Sequence, residues 1–134
     1  MASATKPARL KMEAEVREVL ARIPAPAYVA DQVTLNFTVA NKQFEDLLGY
    51  TESELRGMTI EQIRPEVDVP LLRKSVASPA PPGFVNWQYV KKDGVVLDVK
   101  IHYRDLSYLS EVGQPVRARF IVVEFWNEVA LGAA

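Results

Sequence analysis

Few side chains in this sequence could do chemistry. Cysteine is absent, which excludes thiol nucleophiles, thiolate zinc sites, disulfides and cysteine-linked chromophores. The single histidine, His102, falls on the polar parity of a strand-like run beside Asp98, Lys100 and Arg104. One imidazole cannot build a metal site, and an outward-facing one cannot serve a Ser-His-Asp triad, so no metal is expected and His102 reads as a solvated or interface residue. No glycine-rich phosphate loop is present. What remains is aromatic. Trp87, Tyr89 and Tyr103 share the apolar parity of two neighbouring runs, and Phe120 with Glu124 shares one parity of a third. A carboxylate buried among them needs a raised pKa or a phenol donor such as Tyr89 or Tyr103. Glu124 is therefore either the polar anchor of a small organic ligand or a strand-end residue reaching water, with the aromatics simply filling a core.

The elements that must position these residues begin with a helix. Met12, Val16, Val19 and Ile23 follow a 4-3-4 spacing that predicts an amphipathic helix over Ala8–Ile23, supported by Glu13 with Arg17 and Glu18 with Arg22 and stopped by Pro24 and Pro26. Such a helix either docks on its own domain or forms a short seam between two copies. Tyr28–Asp31 and Thr34–Ala40 read as two short strands. Asn41–Leu48 switches to helical spacing and ends at Gly49, and Thr51 with Glu54 caps a second helix over Glu52–Arg56. Thr59 with Gln62 offers a third start, and Val67, Leu71, Leu72 and Val76 predict one more helix before the stiff loop Ser78–Gly83. Phe84–Lys92 and Val95–Leu106 flank Asp93-Gly94, a hairpin signal, and Val116–Trp126 is a last long strand. Clustered rather than alternating elements predict an α+β fold with an antiparallel sheet.

That order, together with the run Asn41–Gly57, resembles the PAS family of bacterial sensory-box domains. An Asn-x-x-Phe helix (Asn41, Phe44), Leu-x-Gly-Tyr read over Leu47–Tyr50 and a Thr-x-x-Glu-Leu-x-Gly turn (Thr51, Glu54, Leu55, Gly57) stand in the family's register. Pro65 with Asp68, the aromatic strand from Trp87 to Gly94, and Arg117-Ala118-Arg119 continue the likeness, which spans about Ala25 to Asn127. Where many relatives close with Asp-Ile-Thr, this chain reads Phe125-Trp126-Asn127-Glu128. The resemblance implies a five-stranded antiparallel sheet with short helices on one face and an N-terminal amphipathic helix. It divides the chain into residues 1–24 as a capping or dimerisation helix, 25–127 as the domain and 128–134 as a tail. It also implies a pocket between sheet and helices, with Phe44, Trp87, Tyr89, Val99, Tyr103, Phe120 and Glu124 as candidate ligand contacts; Glu124 matches a position from which some relatives touch ligand. The cofactor stays unknown. Haem-binding relatives take an axial histidine from the long helix, and Glu66–Ser78 contains none; photoreactive flavin relatives need an Asn-Cys motif and inner amide side chains, where this chain has no thiol and shows Tyr89 and Val99.

The last strand is apolar on both parities over its centre. Ala118, Phe120, Val122 and Glu124 are expected to face inward and Arg119, Ile121, Val123 and Phe125 outward. A strand with one face in water should not look like this, so the outer face must be covered. The N-terminal helix, from the same chain or a partner, is the expected cover, making Met12, Val16, Val19, Ile23, Ile121, Val123 and Phe125 the candidate dimer interface.

The 134 residues suit one domain, with 49% hydrophobic and 25% charged residues in a globular balance. Sixteen basic residues against seventeen acidic ones leave a net charge of −1, which argues against nucleic acid as a partner. No apolar run approaches the ~20 residues of a membrane span and no signal peptide is visible, so no membrane association and a cytoplasmic location are expected. Three functions compete: a non-catalytic ligand-sensing module relaying to a kinase, cyclase or transcription-regulator output; a ligand-free interaction module working as a homodimer; and, remotely, a small cone-shaped isomerase using Glu124 with Tyr103.

Overall fold

A computed structural model describes residues 10–129. The first element, α1 (Glu13–Ala21), starts where the Glu15 carboxylate accepts from the Met12 N–H at 3.0 Å and ends before Pro24. It is shorter than the predicted Ala8–Ile23: Met12 is extended and bridges Leu109 in parallel, while Ala8 and Arg9 lie outside the described residues, as do residues 130–134 of the expected tail. Two strands follow, β1 (Ala27–Asp31) and β2 (Phe37–Ala40). Asp31 shapes the turn between them, its Oδ1 accepting from the Val33 and Thr34 N–H groups at 2.7 and 3.0 Å.

Capping chemistry then dictates a series of short helices. Asn41 caps α2 (Lys42–Leu48), which stops at Gly49 with φ +87°, a left-handed value that glycine adopts without strain. Thr51 and Glu54 form the expected reciprocal cap on α3 (Glu52–Arg56). The third start, at Thr59, produces only a 3₁₀ turn, Ile60–Ile63, followed by another at Glu66–Asp68 and by α4 (Val69–Ala77) with Pro70 in its first turn. Leu72 and Val76 of α4 are buried, whereas Val67 and Leu71 face water.

The remaining chain is β3 (Gly83–Val90), β4 (Val96–Leu109) and β5 (Pro115–Glu128). All five strands pair antiparallel in the order β2-β1-β5-β4-β3, so the last strand sits at the centre. This is the predicted α+β architecture. The main core lies between the sheet and the helices α2–α4, and includes Tyr28, Phe37, Phe44, Leu48, Ile63, Tyr89, Val99 and Ile101. A second core lies on the opposite face, where Val16 and Leu20 of α1 pack against Ala27, Val29, Val39, Tyr108 and Ala118. The cover for the outer face thus comes, over this stretch, from the same chain.

The faces of β5 are the reverse of the expectation. Ile121 and Val123 belong to the inner core, while Phe120 and Val122 lie on the outer side beside α1. Register explains this: Ile121 pairs with Tyr103 and Val123 with Ile101, both inward-facing, and a two-for-one irregularity between Lys100 and Ile101 leaves Glu124 as the extra residue. Beyond it Phe125 pairs with Lys100 on the outer side, as expected.

Candidate functional site

A cavity of about 120 Å³ lies between the sheet and α4. Its apolar wall comes from inward positions of β1, β3, β4 and β5 (Ala30, Val85, Ile101, Ile121) facing Ile60 and Leu72. Of the seven predicted contacts, Trp87 and Tyr103 line it. Phe44, Tyr89 and Val99 are buried in the surrounding inner core. Phe120 and Glu124 are not brought there. Phe120 stands on the outer face, and Glu124 is exposed, with its carboxylate 2.8 Å from His102 Nε2 and 3.0 Å from Lys100 Nζ. Those two partners hold the Glu124 carboxyl below the usual range, the opposite of the raised value that a buried anchor would need. Glu124 and Tyr103 therefore occupy opposite faces of the sheet and cannot act as a base–donor pair.

Two arginines border the cavity, and neither was foreseen as a contact. Arg119 is fully engaged: Nε donates to Asp105 Oδ1 at 2.6 Å, Nη2 to Asp105 Oδ2 and Ser78 O at 3.2 Å each, and Nη1 to Ser75 O at 3.2 Å. It thereby straps the end of α4 to β5, where a cation suits the free carbonyls of a helix terminus. Asp105 also accepts from the Ala80 N–H at 2.9 Å. Burial pushes the Asp105 carboxyl up, but the bonds from Arg119 and Ala80 outweigh it and hold the group below its usual value.

Arg64 is different. It follows the Ile60–Ile63 turn in extended backbone, is 6% exposed, and sets its guanidinium carbon 3.9 Å above the Trp87 ring and 5.9 Å from that of Tyr89. Its Nε and Nη2 are buried without a hydrogen-bond partner. Nearby, the Tyr28 and Tyr89 hydroxyls meet at 2.9 Å, and burial pushes both phenols up, Tyr89 well above its normal value, so both stay neutral. The sequence signals for these groups are weak but present: a cation between buried Ile63 and Pro65, and Arg119 at the cross-strand position of Asp105.

The interface candidates divide likewise. Val19 and Phe125 are exposed, while Val16 is buried and Met12 and Ile23 are half-buried in the chain's own fold. Ile121 and Val123, inside the main core, are unavailable to a partner. Leu20, fully buried beneath α1, was missed because Val19 took its place in the predicted stripe. Among the described residues no helix is long and apolar enough to cross a membrane, and no group of three or more His, Asp or Glu could hold a metal ion.

The sequence matches no family model and no curated protein. Solved structures do match. A PAS domain of an HTR-like protein from Haloarcula marismortui aligns over 87% of this chain and 90% of its own at 19% identity, with a TM-score of 0.63. The LOV protein of Rhodobacter sphaeroides aligns over 90% of this chain and 68% of its own at 15% identity, with a TM-score of 0.65. A domain of a sensory box sensor histidine kinase/response regulator from Geobacter sulfurreducens aligns over 81% and 90% at 16% identity, with a TM-score of 0.60. Strand order, helix placement and these alignments agree that the chain has the fold of a PAS domain.

Proposed function

We propose that this protein is a signal-sensing PAS module whose inner cavity takes a small ligand and whose sheet relays occupancy to an output such as a kinase, cyclase or transcription regulator. The observation that carries this reading is the cavity itself, built from both layers of the fold, so that an occupant touches the sheet and α4 at once. The alignment with a domain of a sensor histidine kinase supports a signalling role rather than catalysis, and the separation of Glu124 from Tyr103 removes the one pair considered for proton transfer. Ligand pockets for drug-sized molecules run to ~300 Å³ or more. At about 120 Å³ this one is smaller, which supports a compact ligand. Native mass spectrometry of the purified chain is the test. A mass increment lost on unfolding is expected; a bare polypeptide mass, with no increment after incubation with metabolite extract, rejects the reading.

A second reading, dimerisation, is favoured by the outer face. Val19 and Phe84 are exposed at 44% and 62%, flanking a strip with Phe120 and Val122 between them, and Phe125 adds a further exposed ring. Lys100, Arg104 and Glu124 give that face both signs of charge, which suits contact with a second copy. In this reading residues 1–24 contribute the capping and dimerisation helix to a domain over 25–127. Sedimentation of the wild type against Phe84→Asp decides it: a dimer weakened by the substitution is expected, and a monomer at every concentration refutes it.

A further inference from the structure

Arg64 and Arg119 face the same cavity, and only one of them is paid for. Arg119 has a carboxylate and two helix-end carbonyls. Arg64, more than nine-tenths buried, forms no ion pair with any described carboxylate, and its Nε and Nη2 bond to nothing. The Asp68 carboxylate acts on Arg64 through its charge but forms no ion pair with it, Asp105 is occupied by Arg119, and Asp31 Oδ1 accepts from the Val33 and Thr34 N–H groups. Burial lowers the pKa of Arg64, yet guanidinium remains charged at neutral pH. The stacking on Trp87 compensates only part of the cost of an unpaired buried cation.

Arg64 also borders the cavity, although its Nε and Nη2 are enclosed by protein atoms and beyond the reach of an occupant, so the side chain acts on the cavity through its positive charge. The walls beside it are apolar, with Ile60, Leu72 and Ile101 suited to a short alkyl tail. A volume of about 120 Å³ suits a compact ligand rather than a drug-sized one. We infer that the cavity is an anion site for a short-chain carboxylate, with the Arg64 guanidinium as its counter-charge and Trp87 holding the guanidinium plane in place. This rests on the reading that the cavity holds a ligand, and narrows it to a chemical class.

The test uses NMR of the intact chain, because its two tryptophans report separately: Trp87 lines the cavity and Trp126, near the end of β5, does not. Acetate, propionate and butyrate are titrated at constant ionic strength, with propionamide as the neutral isostere of propionate. The expected result is a saturable shift of the Trp87 indole signal by at least one of the acids, an unmoved Trp126 signal, binding of propionamide at least ~10-fold weaker, and a similar loss for the acids in Arg64→Gln. Equal binding of propionamide and propionate overturns the anion site and leaves a ligand-sensing cavity standing. Acid binding undiminished in Arg64→Gln, or a response shared by Trp126, overturns it too. Silence with all four probes overturns the carboxylate site, whereas the broader sensing reading fails only if native mass spectra also show the bare chain. The wild-type comparison of acid with amide needs no variant, so a misfolded Arg64→Gln would not rescue the idea.

Discussion

At the scale of single residues, the polar positions of the Asn41–Gly57 run turn out to be structural, and the informative ones are those left unsatisfied. Asn41 is the clearest structural case. Its Oδ1 accepts from the Phe44 and Ala27 N–H groups at 3.0 Å each, and its Nδ2 donates to Leu20 O at 3.1 Å and Ala25 O at 2.8 Å. One buried amide thus joins the end of α1, the entry to β1 and the start of α2. Asn41→Ala removes the side-chain partner of the Ala27 N–H and the Ala25 carbonyl, while the Phe44 N–H keeps Asn41 O and Leu20 O keeps the Ile23 N–H, and it is expected to cost about 2–3 kcal/mol in urea denaturation. Thr51→Ala, which removes an exposed cap on α3, should cost only ~1 kcal/mol in the same assay. The Asn-x-x-Phe pattern was legible as a helix start; the reach of Asn41 to α1 was not, because it depends on a contact 21 residues away. Glu124 makes the converse point. Its parity with Phe120 suggested a buried anchor, but that parity faces outward in β5, which puts Glu124 on the outer face with Lys100 and His102. Glu124→Ala should leave the affinity of any cavity ligand unchanged in the titrations described for Arg64.

At the scale of elements, β3 and β4 were readable because polar and apolar residues alternate cleanly, so Val85, Trp87, Leu97 and Val99 could face only inward. β5 was not readable for the same reason inverted: it is central in the sheet, covered on both faces, and both parities are apolar. The cue that fixes it is polar rather than apolar. Arg119 lies opposite Asp105, and this pair must share the inner face with Ile121. The same pair controls α4. The folded-state pKa of Asp105 is depressed, so its contribution is present above the unfolded value near 3.8 and is lost as pH falls through the lower folded value. Charge-assisted bonds of this kind contribute about 1.5–3 kcal/mol. Asp105→Asn should therefore lower the urea midpoint at pH 7, and the gap from wild type should close as pH drops below about 4, the range set by an ordinary aspartate. A gap that is constant from pH 7 to pH 2.5 would show that the strap works through shape rather than charge. Leu20 offers a second check on element packing: with no exposure beneath α1, Leu20→Ala should cost about 2–4 kcal/mol, whereas Val19→Ala, one position away and exposed, should cost little.

At the scale of the whole molecule, β5 connects the two candidate functions. Along its central stretch Arg119 and Ile121 border the cavity, while the intervening Phe120 and the next residue, Val122, lie on the outer strip between α1 and the β3 edge. A strand cannot displace its inward side chains without moving the outward ones, since both hang from one pleated backbone. Where ligand and partner both distinguish the two states of β5, each changes the other's affinity by the same factor, and coupling of this kind typically amounts to ~5–150-fold. The expected outcome, measured by sedimentation at saturating carboxylate, is a dimer dissociation constant shifted by at least ~5-fold in the wild type and unshifted in Arg64→Gln. Phe120→Ala should separate the functions, leaving ligand binding at Trp87 intact while abolishing the shift, because its side chain lies outside the cavity and on the strip. If Phe120→Ala weakens ligand binding as much as it weakens dimerisation, the two faces of β5 are not acting as sender and receiver, and the coupling would have to run through α4 and the Arg119 strap instead.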